Sequence, residues 1–416
     1  EGPSPAWPIT YADLAPYYDR AEQLYHVHGR RGADPFEPPA GGPFPHGPVT
    51  HAPRIAEVAD GLRAYGLQPF EMPMGVKMSE DDPGSGPFVL RETFEAMGRA
   101  AFDGYPDLLH LKCDAEVATV KPATAYDNVH LLTGADVTRL VPSASGREVT
   151  AVEATIDGET RTFTADTFAL CAGAVNSAAL LLRSATRTQP DGLANRSGRV
   201  GRHFMRHVTS KFYSAASATP NPTQFQKTLA VNDFYFGVPG DPEWDGVPLG
   251  HIHLMGKHRG WQILQDLPVG ALTPHEADAF AANSVDWWVQ GEDLPLEDNR
   301  ITLGPDGGIR VRYTETNRKA QEKLMDVLEE ALRTVGFDRF LRVPMPLGVV
   351  NHQCGTCRMG EDPATSVVDP NGKAHDLANL YLADASVFPS SAATNPTLTI
   401  AANALRVAEH LQGEVL

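Results

Sequence analysis

Apolar residues recur at three- and four-residue intervals in several stretches of the chain, and each predicts an amphipathic helix. "TYADLAPYYDRAEQLY" (10–25) is the first, with Thr10 placed to cap it and Asp13 facing its positive end. "RETFEAMGRAAF" (91–102) and "AVNSAALLLRSA" (174–185) follow. "NRKAQEKLMDVLEEALRTVG" (317–336) is a fourth such run, stopped by Gly336. The last, "NPTLTIAANALRVAEHLQ" (395–412), is opened by Pro396. Short β-branched runs between polar turns predict strands: "DLLHLKCDAEVATVKP" (107–122), "VHLLTGADVTRLV" (129–141), "VTAVEATID" (149–157), "TRTFTADTFALCAGA" (160–174) and "NLYLADASVF" (379–388). Residues 1–87 are rich in Pro and Gly, and the middle, about 200–350, is irregular and aromatic. The pattern is that of an α/β (α+β) protein with more than one core, as 416 residues suggest.

Charge narrows the partners. Lys and Arg total 35 against 52 Asp and Glu, a net −17, so no basic face is available for nucleic acid or an anionic membrane. No apolar run approaches the ~20 residues of a membrane span. Four cysteines are too few for a disulfide scaffold and read as reduced thiols, which sets the expectation of a cytoplasmic protein.

The chemistry concentrates in "NHQCGTCRMG" (351–360), where His352 precedes Cys354 and Cys357. Two readings stand side by side. A zinc site would recruit this Cys pair with His203 and His207, or His251 and His253, although structural zinc wants four ligands and no metalloprotease helix is present. Alternatively His352 takes a proton and the thiols pack. Two strand–turn–helix junctions add weight to a large cofactor. At "CAGAVNSAALLL" (171–182), Ala172 and Gly173 let backbone approach a ligand at a helix start. At "YLADASVFPSSAATNPTLTI" (381–400), Asp384 suits polyol hydroxyls, and the helix opened by Asn395, Pro396 and Thr397 suits a negatively charged ring.

"HQCGTCRMG", "NLYLADASVFPSSAATNPTLTIAANALRVAE" and "CAGAVNSAALLL" resemble the signatures of the glucose–methanol–choline (GMC) flavoprotein oxidoreductases, and within them the pyranose oxidase and C-glycoside oxidase branch. The resemblance implies an FAD-dependent oxidation of a sugar or glycoside secondary alcohol to a ketone, with oxygen or a quinone as electron acceptor. It implies His352 as the base and Asn395 as its partner. Val117, Ala172, Gly173, Asp384, Ala385, Pro396 and Thr397 fall on cofactor-binding positions. Gln226, Asp233 and Tyr235, in "PTQFQKTLAVNDFYFG" (222–237), are candidate sugar contacts. Cys354 and Cys357 become packing residues, and Arg358 is expected to hold the turn through a carboxylate.

The implied organisation is a peripheral segment, 1–87, a discontinuous FAD domain, 88–200 with 343–416, and a substrate domain, 201–342, on an antiparallel sheet. The chain opens "EGPSPAWPIT" and carries no G-x-G-x-x-G on a strand–helix junction, so the first βαβ unit of an FAD fold is expected on a preceding segment or a second subunit. A homo-oligomer is compatible with all of this. A zinc-dependent hydrolase and a non-catalytic remnant of the fold are the alternatives.

Overall fold

A computed structural model describes residues 4–76, 112–223, 225–349 and 351–415. The helix expected at 91–102 and the start of the strand expected at 107–122 lie outside these residues. The remainder of that strand is helical instead: Glu116–Val120 forms a π-helical turn continued by Lys121–Ala123. The Asp114 carboxylate accepts the Val117 N–H at 3.0 Å and caps this turn, which overrides the β preference of Val117, Thr119 and Val120.

The larger sheet is antiparallel and six-stranded, in the order Arg339–Pro344, Val208–Ala215, Ser284–Gly291, His251–Leu254, Leu229–Val231 and Phe70–Glu71. Its strands are drawn from residues 70 to 344, so long-range apolar pairing assembles it. The amphipathic helix Arg318–Thr334 lays Leu324, Leu328, Ala331 and Leu332 against Phe212 and Trp287 on one face. Trp287 is fully buried, and its indole N–H donates to Ser214 Oγ at 3.0 Å. Alternation along His251–Leu254 sends Ile252 and Leu254 into this core and turns His251 and His253 to the opposite face. There His251 stands across from Gln290.

A second core surrounds the parallel pair Phe168–Leu170 and Leu380–Leu382. The helix Gly173–Arg183 covers it with Ala178, Ala179, Leu180 and Leu181. A three-stranded meander, Ala135–Pro142, Val149–Ile156 and Glu159–Phe163, extends from it. Cys354, Cys357 and Met359 are buried in the same core. The segment before residue 88 is woven into both units. Phe70–Glu71 edges the large sheet, and the helix Tyr11–Leu24, with Thr10 and Asp13 closing a capping box, packs along Thr397–Val415. No described helix is long and apolar enough to cross a membrane.

Candidate active site

Just before the strand Val208–Ala215, Met205 and Cys354, both in the second core, exchange backbone hydrogen bonds, each at 3.0 Å. Continuing that antiparallel register by two residues sets 207 opposite 352. The side chains meet accordingly: His352 Nδ1 lies 3.1 Å from His207 Nδ1, with ring centroids 4.7 Å apart and planes at 61°. Gly355 makes the bend possible. Its φ is +91°, and a Cβ there would collide with the His203 carbonyl oxygen. His352 itself has φ +69°, a left-handed conformation that costs a non-glycine residue roughly 1–2 kcal/mol. Such strain concentrates at sites where geometry serves chemistry.

His207 is fully buried, and its Nε2 sits 3.2 Å from the Ser391 carbonyl oxygen. Burial holds this imidazole down to about 3, with the neighbouring His352 adding to the effect. His352 is held to about 4, by burial first and by the Lys227 ammonium second. Burial likewise holds His251 to about 4 and His253 well below its usual range, with Lys227 adding to both and His251 adding to the effect on His253. Each ring therefore stands neutral near pH 7. His251 donates to Asn232 Oδ1 at 2.6 Å, and its ring stacks on His253 with centroids 4.8 Å apart.

A cavity of about 590 Å³ opens beside this cluster. Lys227, Asn232, His251, Asn395 and Thr397 are among its lining residues. The long helix Thr397–Val415 starts on this wall, so its unpaired N–H groups and positive end face the space. Asn395 is exposed there, and Lys227 links its cavity to His352 electrostatically.

The second junction lies at the carboxyl ends of the parallel strands. Asp384 accepts hydrogen bonds from Gly173 N–H at 2.8 Å, Ser177 Oγ at 2.5 Å and Ser386 N–H at 2.8 Å. The carboxylate therefore bridges the two turns and fixes the Gly173–Arg183 helix start beside Ala385. Ala172 is exposed next to it, and Gly173, at φ +78°, has open space where a Cβ would stand. Pro396 is buried under the helix start.

The candidate sugar contacts are dispersed. Tyr235 Oη accepts the Ala393 N–H at 3.2 Å, close to the Asn395 segment. Gln226 is fully buried; its Oε1 accepts from Asn221, and its Nε2 has no hydrogen-bond partner among the described residues. Asp233 places both oxygens 3.1 Å from the Gln68 N–H, while its neighbour Asn232 lines the cavity. Arg358 donates to the Thr365 carbonyl through Nε and Nη2 at 3.1 and 3.0 Å, not to a carboxylate as expected. Cys357 is buried and its thiol is pushed up to about 12. Among the described residues, no three His, Cys, Asp or Glu side chains form a metal-binding group.

His203 and His207 do not share a helix face, because the chain there is a loop entering a strand and His203 has φ +59°. His203 instead bonds the Pro295 carbonyl at 3.0 Å. Sequence reasoning noted the spacing of these histidines but missed that register, not periodicity, brings His207 to His352.

Models of the GMC oxidoreductases match residues 92–209 and 295–404, the first labelled for the amino-terminal and the second for the carboxyl-terminal part of the family. A 6'''-hydroxyparomomycin C oxidase from Streptomyces lividus is 30% identical over 445 aligned positions, covering 100% of this chain and 74% of its own length. The chain belongs to the GMC oxidoreductases. A paromamine 6'-oxidase from Streptomyces fradiae is 29% identical across 99% of the chain and 72% of its own. Among solved structures, pyridoxine 4-oxidase from Mesorbium loti superposes with a TM-score of 0.63, covering 98% of this chain and 78% of that one at 18% identity, which establishes the shared fold. This GMC oxidoreductase is thus an enzyme acting on CH–OH groups, and its mixed α/β fold with an antiparallel sheet is the family's.

Proposed function

We propose that this chain oxidises a hydroxyl-bearing carbon of a sugar or glycoside, with FAD as the hydride acceptor and His352 as the base for the hydroxyl proton. The observation that carries the reading is a neutral, strained His352 packed against buried His207, under the influence of a lysine that lines the 590 Å³ cavity. Three features favour FAD. A helix start opens onto the cavity at Asn395 and Thr397, where negative charge on a ring would be stabilised. Asp384 offers a buried carboxylate to hydroxyls, and Gly173 leaves room for close backbone approach. Val117 follows Asp114, another cavity-lining residue, and fits the adenine end by family position.

When bound, FAD supplies the two-electron acceptor for hydride. The protein's own residues do the rest. His352 accepts the hydroxyl proton, a role worth about 10²–10⁴ in rate. Asn395, which cannot titrate, donates to or accepts from the same hydroxyl and fixes its orientation. Burial, reinforced by Lys227, keeps His352 in its proton-accepting form. Secondary-alcohol oxidation on a pyranose is the preferred reaction, and the two aminoglycoside-named relatives extend the substrate class to amino sugars. The electron acceptor, oxygen or a quinone, and a cytoplasmic location complete the proposal. Anaerobic addition of a panel of pyranoses, glycosides and amino sugars to the protein should bleach its flavin absorbance with at least one of them. A protein that binds no flavin, or whose flavin no sugar or glycoside reduces, contradicts it.

A further inference from the structure

We propose that His207 is a positioning residue: it locks His352 in the Nδ1–H tautomer and so turns the bare Nε2 of His352 to the substrate hydroxyl. The inference rests on His352 being the base. A neutral imidazole carries one N–H and one lone pair, and which nitrogen holds the proton is set by the partner of the other. His207 Nε2 sits 3.2 Å from the Ser391 carbonyl, a group that can only accept, so the His207 proton is on Nε2. Its Nδ1 is then a lone pair. The 3.1 Å contact between the two Nδ1 atoms needs one hydrogen, and only His352 can supply it. That leaves His352 Nε2 unprotonated.

The reverse arrangement would set a His207 lone pair against the lone pairs of the Ser391 carbonyl. Burial excludes the remaining option, a charged His207. The pair also tolerates turnover. When His352 Nε2 takes a proton, Nδ1–H still donates to neutral His207, and no atom needs to move. The titratable groups facing the two rings are Lys227, His251 and His253, all basic. The orienting group is therefore an imidazole where many histidine bases have a carboxylate, and it fixes the tautomer without drawing positive charge onto the ring.

The test is direct. The whole protein, carrying its flavin, is labelled with ¹⁵N-histidine, and the His352 ring signals are assigned by their loss in His352→Gln. Long-range ¹H–¹⁵N spectra should show Nδ1 protonated and Nε2 bare. In His207→Leu the signals should move toward the Nε2–H form, and kcat should fall about 10–100-fold with KM within about twofold. His207→Asn, whose amide oxygen can accept from His352, should restore the Nδ1–H form and most of the rate. A wild-type His352 in the Nε2–H form overturns the proposal, and it does so even if the leucine variant fails to fold. So does a folded His207→Leu with unchanged tautomer and rate, or an asparagine variant no better than leucine. Should His352→Gln keep full activity while the wild-type spectrum shows Nδ1–H, the tautomer lock is upheld and the base assignment alone is overturned.

Discussion

Acidification from pH 7 to pH 5 should destabilise this protein far more than its surface charge suggests, because it buries histidines neutral. His203, His251 and His352 are held to about 4 and His207 to about 3, against 6.5 for an exposed ring. As pH falls below 6.5 the unfolded chain binds protons at these rings while the folded chain does not. Stability is therefore complete above 6.5 and is lost as pH falls toward 4. A pH of 5 lies about 1.5 units below the unfolded value, which costs about 2 kcal/mol per ring at 1.36 kcal/mol per unit. Four rings give roughly 8 kcal/mol. Half-buried Asp34, Asp233 and Glu292 and buried Asp293 are shifted upward by desolvation and work in the opposite sense, gaining stability as pH falls. The histidine loss of roughly 8 kcal/mol, reduced by these carboxyls, stands against a total of about 5–15 kcal/mol for a typical fold. Urea titrations followed by far-UV circular dichroism at pH 7, 6 and 5 measure it. The midpoint should fall by roughly a third or more with an unchanged slope. A midpoint that is constant or rises on acidification refutes the reasoning.

Other outcomes follow from single contacts. Gly355→Ala forces a side chain into a left-handed position against the His203 carbonyl, so it should lower stability by about 2 kcal/mol or more and activity with it; a melting curve and kcat together check this. Asp384→Ala leaves the Gly173 N–H and Ser177 hydroxyl without their acceptor, at a cost of about 1–3 kcal/mol, and should lower the flavin-to-protein ratio after dialysis. Trp287→Ala opens a cavity in the larger core and removes the indole donor to Ser214 Oγ, about 3–5 kcal/mol by denaturant titration. Cys357→Ser should leave the pH profile of kcat unchanged between pH 6 and 9, since a thiol pushed up to about 12 takes no part in titration there.

Local signals in the sequence were read correctly where one element settles its own structure. The amphipathic runs ending at Gly336 and opening at Pro396 form the helices Arg318–Thr334 and Thr397–Val415, because apolar spacing and end residues act within a few turns. The capping box of Thr10 and Asp13 is of the same kind. What was illegible depends on distant partners. Residues 116–123 carry β-branched side chains, yet they turn helically behind Asp114, whose carboxylate accepts the Val117 N–H. The six-stranded sheet pairs residues 70–71 with a strand at 229–231, a registry no window of sequence displays. The His352 loop was visible as a motif, but its partner His207 lies 145 residues earlier and is delivered by the Met205–Cys354 bridge. Arg358 was expected on a carboxylate because charge suggests charge; a turn carbonyl at Thr365 was nearer. Lys227 carried no signal at all, since its influence is electrostatic and acts across the cavity wall.

The account stands on His352 as the proton acceptor in alcohol oxidation. Single-turnover flavin reduction, followed anaerobically in wild type and His352→Gln at saturating substrate and equal flavin content, measures that role alone. The rate constant should drop by about 10²–10⁴. Reduction in the variant as fast as in wild type would contradict the account.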